Sequence, residues 1–196
     1  PTGLNASVSG QNLQFNWDEN TSADWFVLEQ REKTGEDSWG DWMVVTNPAG
    51  NLTSYSAVWG APNFGLKPNT DYQYRLKAIN AYGSSAYSGS AALTTPDFPL
   101  APADLSWKVI SAGRVNLTWT DRADNETGYR IEILNTANKE VLWSLSLAPD
   151  SSDYSVTGLT AGVPYIIKVV AVKGTFETAV ETEAIKTTID PKGGLF

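Results

Sequence analysis

Apolar and polar residues alternate in short runs along almost the whole chain. Single polar residues separate Leu13, Phe15 and Trp17, and again Val115, Leu117 and Trp119. The longest alternating runs are Tyr72-x-Tyr74-x-Leu76-x-Ala78 and Tyr165-x-Ile167-x-Val169-x-Ala171. A period of two predicts strands with one face buried, as in antiparallel sheets. Such runs recur every 8 to 15 residues, between clusters of Gly, Pro, Asn, Asp and Ser. No stretch holds a 3.6-residue apolar period long enough for a helix, so an all-β chain is expected.

The pattern occurs twice. "PTGL" at Pro1 answers "PADL" at Pro102, and Trp17 answers Trp119, at offsets of 101 and 102. Leu66 and Leu159, Tyr72 and Tyr165, Ala78 and Ala171, and "LTTPD" and "KTTID" all lie 93 apart. One change of offset between two constant stretches means one zone of unequal length. The first copy carries the extra residues, between Phe26 and Leu66. "TTPDFPLAP", with Pro96, Pro99 and Pro102, predicts a short, semi-rigid connection. The expected division is residues 1–96, residues 97–190 and a tail of 191–196.

Composition narrows the chemistry. The chain has 196 residues and a net charge of −8, split evenly between the halves, with no basic stripe. Nucleic acid and anionic membrane surfaces would meet repulsion, so neither is expected as a partner. No run approaches 18 apolar residues, so no membrane insertion is expected. Without cysteine or histidine the chain has no disulfides, no Ser-His-Asp or Cys-His catalysis and none of the usual zinc sites. Its carboxylates are scattered through turns, and two sandwiches leave no chain over to build a cleft. A non-enzyme with no cofactor is expected. The chain begins without a methionine and reads as a mature or excised piece of something larger.

Each half resembles a fibronectin type III domain. The resemblance rests on Trp17 and Trp119 in strand B and on "LKPNTDYQYRLKAINAYGSSAYS", Leu66 to Ser88. That stretch follows the family's leucine, proline, tyrosine corner, strand F and Asn-x-x-Gly-x-Ser loop. The second copy keeps "LTAGVPYIIKVVAV" and replaces the loop by "KGTFETAV". Its "WTDRADNETGYRIEI" is similar to the B–C region of modules attached to secreted bacterial polysaccharide-degrading enzymes. The resemblance implies two consecutive seven-stranded, immunoglobulin-like antiparallel β-sandwiches and an extracellular setting, secreted or on a cell surface. It implies neighbouring domains of a parent protein as partners and, for a ligand, a polysaccharide or a protein.

The candidate binding residues are aromatic. In "EDSWGDWMVV", Glu36 to Val45, Trp42 matches a packing position at the start of strand C′. Trp39 has no such slot; it is either a stacking platform for a sugar ring or a cover over the sandwich edge. Trp59 and Phe64, in the same lengthened zone, are candidates for a second platform or for covering the sandwich bottom. Trp25 is placed on the outer face, where Arg75 and Lys77 could stack on its indole. Trp107 and Trp143 are expected to be core or half-buried. Asp121, Asp124, Asn125 and Glu126 supply oxygens in one loop, but EF-hand spacing is missing, and Asx turns explain the same composition. No metal site is expected. The leading expectation is a non-catalytic spacer and interaction tandem. The alternatives are a carbohydrate-binding module using Trp39, Trp59 and Phe64, or a β-sandwich arm of an extracellular assembly whose sheet edges pair with neighbours.

Overall fold

The computed structural model describes residues 1–9, 12–18, 22–58 and 64–187. The chain divides into two units, Pro1–Asp97 and Phe98–Phe196. The tail 191–196 lies outside the described residues.

In the first unit β1 (Asn5–Ser9), β2 (Asn12–Asn16) and β5 (Ser54–Val58) form one antiparallel sheet in the order β1-β2-β5. The second sheet contains β3 (Trp25–Glu32), β4 (Met43–Thr46), β6 (Asp71–Asn80), β7 (Gly83–Ser84) and β8 (Ala91–Thr94). Its order is β4-β3-β6, with β7 and β8 both on the far side of β6 as two pieces of one strand. Seven strands result. Between the pieces, Ser85 and Ser88 keep the pairing alive: their hydroxyls accept from the Ala78 and Leu76 amides, each at 3.0 Å.

The second unit repeats this order. β9 (Ala103–Ser111), β10 (Arg114–Thr120) and β13 (Asp153–Thr157) form the three-stranded sheet, ordered β13-β10-β9. The other holds β11 (Gly128–Asn135), β12 (Val141–Leu147), β14 (Pro164–Lys173), β15 (Phe176–Glu181) and β16 (Ile185–Lys186), ordered β12-β11-β14 with β15 and β16 both on β14. At that break the Thr182 hydroxyl accepts from the Ile167 amide at 3.0 Å.

Alternation built the cores. Leu13, Phe15, Phe26, Leu28, Tyr74 and Leu76 are wholly buried in the first unit; Val115, Ile131, Ile167 and Val169 are in the second. Trp17 and Trp119 are both 5% exposed, edge-on to Phe26 and tilted against Tyr129 at ring distances of 5.3 and 5.7 Å. Both tyrosine corners are closed: the Lys67 and Thr160 amides donate to the phenolic oxygens of Tyr72 and Tyr165. The "TTPDFPLAP" stretch is more anchored than a spacer. Phe98, Pro99 and Pro102 are buried, and the Phe98 and Pro99 carbonyls accept from Asn125 and Thr178 of the second unit. Proline removes amide donors but not carbonyl acceptors, so a proline-rich segment still docks through its C=O groups.

Two residues expected to be core or half-buried are partly exposed. Trp107 and Trp143 are 41% and 42% exposed. Their ladder partners Leu117 and Ile133 are buried, so both point to the core side. They stand on strands at the ends of their sheets, which among the described residues pair on one side only.

Candidate functional site

The lengthened zone of the first unit builds a row of rings and cations on the outer face of the five-stranded sheet. The turn after β3 is closed by a bridge between Lys33 and Trp39, with the Gly40 amide donating to Glu32 O at 2.8 Å. This brings Trp39 and Trp42 beside the outward side chains of β3 and β6. Strand register sets what they meet. Val27 faces Lys77, Glu29 faces Arg75 and Arg31 faces Gln73.

The Arg31 guanidinium lies 5.1 Å from the Trp39 ring and 4.6 Å from the Trp42 ring. Arg75 lies 4.2 Å from Trp42 and 3.8 Å from Tyr87, and Lys77 lies 4.9 Å from Tyr87. The order is therefore Trp39, Arg31, Trp42, Arg75, Tyr87, Lys77. Each guanidinium is also held in plane by an acceptor. Arg31 donates twice to Gln73 Oε1, and Arg75 donates to Glu29 Oε2 at 2.7 Å. Tyr87 donates to Glu29 Oε1 at 2.8 Å, so the buried Glu29 carboxylate uses both oxygens. Stacking and hydrogen bonding use different parts of a guanidinium, its faces and its rim, so both are satisfied at once.

This arrangement decides among the aromatic candidates. Trp42 packs, but on the outer face between two arginines and not in the core. Trp39 is half-buried, with Arg31 over its ring. Phe64 is corrected: it is 2% exposed and stacked on Phe15 and Tyr55, because the core needs a cap between the sheets. Its ring offers no platform to solvent. Trp59 lies outside the described residues. Trp25 is on the outer face, 44% exposed, yet it stands opposite Ile79; Arg75 serves Trp42 and Tyr87 instead. Sequence reading missed Arg31 and Tyr87. The signal was Arg31 and Glu29 alternating on β3 opposite Gln73 and Arg75 on β6, which reads as an outer-face network once register is known.

The second unit has an ion network in the matching place. Glu132 faces Lys168 as Glu29 faces Arg75, with Lys168 Nζ 3.2 Å from Glu132. Arg130 donates to Glu132 at 2.8 Å and to both Glu177 oxygens at 2.8 and 2.7 Å. Of the loop carboxylates, Asp121 and Glu126 come together with Asp150, 24 residues beyond Glu126, while Asp124 does not join them. These carboxylates lock turns: Asp121 accepts from the Ala123 amide and the Tyr129 hydroxyl, and Glu126 accepts from the Asp150 amide.

These contacts set the expected pH profile. Hydrogen bonds from Arg130 hold Glu177 below the usual carboxylate range; those from Thr94, then Lys33, do the same for Asp71. A depressed folded pKa contributes stability that is present above the unfolded value and lost as pH falls through the folded one. Burial raises the phenols of Tyr72, Tyr74 and Tyr129 above the usual 10.0, which gives stability present below that value and lost as pH rises through the folded one. With no histidine, melting temperatures are expected to stay flat from pH 6 to 8 and to fall in acid and strong alkali. A midpoint near pH 6.5 would contradict this.

Residues 100–188 match the family model described as the fibronectin type III domain. The match covers most of the second unit. The first unit has the same strand order, so the fold is two consecutive seven-stranded antiparallel β-sandwiches of one topology. The chain is 28% identical over 193 residues to the receptor-type tyrosine-protein phosphatase eta of Gallus gallus, covering 97% of this chain and 12% of that protein. It is 28% identical over 157 residues to tenascin of Gallus gallus, covering 80% of this chain and 8% of that protein. The chain thus spans about a tenth of the length of these curated relatives. A two-domain fibronectin type III segment of chicken tenascin matches with a TM-score of 0.43 at 19% identity, covering 95% of this chain and 99% of that one.

Proposed function

We propose that this chain is a non-catalytic spacer and interaction tandem within a larger extracellular or cell-surface protein. The observation that carries this reading is that both sheets of both units are spent on sandwich packing, with Trp39, Trp42 and Tyr87 of the first unit stacked by its own arginines. Supporting it, one relative is by name a receptor-type protein and another is tenascin, and this chain matches a small part of each. Those relatives are animal proteins and lend nothing to a bacterial setting. The described residues form no helix long and apolar enough to cross a membrane. Neighbouring domains of the parent are the expected partners.

The competing carbohydrate-binding reading needs a free aromatic face, and among the described residues Trp39 is the remaining candidate of those named from sequence. Glycan arrays and polysaccharide columns test both. The spacer reading expects no retention. Retention that Trp39→Ala abolishes while leaving the melting temperature unchanged would replace it with carbohydrate binding.

A further inference from the structure

Five Asn-x-Ser/Thr triplets occur along the chain, at Asn5, Asn20, Asn51, Asn116 and Asn125. A folded protein tolerates a glycan on such a triplet only where the asparagine stands in solvent. The fold separates them. Asn116 is half-buried on β10, the middle strand of its sheet, and accepts from the Ser155 hydroxyl. Asn125 is half-buried too, and donates to the Phe98 carbonyl at 3.2 Å. Asn5 is exposed but lies in the β1 ladder opposite Asn16, and Ala6 beside it is buried. Asn20 lies outside the described residues.

Asn51-Leu52-Thr53 is different, because all three residues are exposed and the asparagine stands in a turn. The Leu52 amide donates to Ala49 O at 3.1 Å, closing a four-residue turn with Asn51 at its third position. The turn is fixed from both sides. The Gly50 amide donates to Asp24 O at 3.0 Å, and Thr53 O accepts from the Trp17 amide at 2.9 Å. A Cβ on Gly50 would lie 1.9 Å from Ala23 O, so only glycine fits there, while the next side chain, Asn51, is exposed.

Beside this turn lies exposed apolar surface. Leu52 is 40% exposed, and Trp25, 44% exposed, forms a bridge with Ala49. Bridged residues lie about 5 Å apart and Asn51 is two residues beyond Ala49, so roughly 12 Å or less separates the Trp25 and Asn51 backbones. The first sugars of an N-linked chain span that distance, and a pyranose face carries C–H groups that suit an indole. We propose that Asn51 is the acceptor of an N-linked glycan whose first sugars lie over Trp25 and Leu52. In the transfer, Asn51 Nδ2 attacks C1 of the first sugar of a polyprenyl diphosphate-linked oligosaccharide. The N–C bond forms as the bond from C1 to the diphosphate oxygen breaks. The lipid diphosphate leaves, and Nδ2 gives its proton to a base of the transferase. Thr53 supplies the hydroxyl that the third position requires. The inference rests on the extracellular reading above, because the donor is met on the secretory route.

The whole chain, secreted from an animal cell line behind an added signal peptide, tests the acceptor whatever the native setting is. Site-by-site mass spectrometry should find Asn51 occupied in most molecules and Asn116 and Asn125 bare. Asn51→Gln and Thr53→Ala should each remove that glycan, and Thr53→Ser should keep it. Between the glycosylated chain and Asn51→Gln, the indole N–H resonance of Trp25 should shift and that of Trp119 should not; Trp25→Phe assigns the peak. A bare Asn51 in the secreted chain overturns the proposal, as does equal occupancy at Asn116 or Asn125. An occupied Asn51 that leaves the Trp25 resonance in place overturns the covering of Trp25. The extracellular setting stands or falls separately, on where the parent protein is found.

Discussion

Trp17→Ala and Trp119→Ala each remove about 3–5 kcal/mol from their own unit and leave the other unit's transition in place. Each indole is a large, nearly buried body at the centre of a separate core, against Phe26 in one unit and Tyr129 in the other. Truncation loses the transfer free energy of the ring and leaves a cavity that strands on both sides cannot collapse into, because their ladders fix their spacing. Domains of this size have about 5–15 kcal/mol in all, so the affected unit should melt roughly 15–30 °C lower. Among the described residues neither indole N–H has a hydrogen-bond partner, so Trp→Phe should cost much less than Trp→Ala. Calorimetry resolves the two units as two transitions. A loss under about 1 kcal/mol at either tryptophan would mean that the core is not organised around it.

The second large effect is expected on the outer face. Trp42→Ala should lower the stability of the first unit by about 2–4 kcal/mol, and Trp39→Ala by less than about 1 kcal/mol. Trp42 is flanked by both guanidiniums, at 4.6 and 4.2 Å, and Arg75 in turn neutralises the buried Glu29. Removing the indole opens this ion pair to water and frees two arginine side chains. Trp39 has one guanidinium over its ring, Arg31 at 5.1 Å, at the end of the row. A double-mutant cycle between Trp42→Ala and Arg75→Ala should show coupling of about 1–2 kcal/mol. Urea unfolding of the isolated first unit measures both. Equal losses at Trp39 and Trp42 would mean that the row does not act as a graded stack.

How much of this was legible follows from the length scale of each interaction. Period-two alternation and the repeat offset are local along the chain, and they foretold the antiparallel strands, the two copies and the inward Trp17 and Trp119; the sandwiches and tyrosine corners came from the family resemblance. Face was legible too: Phe26 and Leu28 point inward, and Trp25 and Val27 outward. Partners were not. Arg75 was expected on Trp25 because both lie on the outer face, but a face says nothing about register, and β3 sets Glu29, not Trp25, opposite Arg75. Phe64 followed the same rule, since no alternating run surrounds it and nothing local told cap from platform.

The sequence by itself determined which residues turn inward, because burial of alternate side chains depends only on the order of residues in a strand. It also excluded thiol, imidazole and zinc chemistry by composition. Only the tertiary structure decided which rings meet which cations, that Asp150 joins Asp121 and Glu126, and that Trp143 stands uncovered on an edge. These depend on register and sheet order, which place residues 40 or more positions apart side by side, as with Glu29 and Arg75. That placement is settled by the packing of whole strands and by no property of either residue alone.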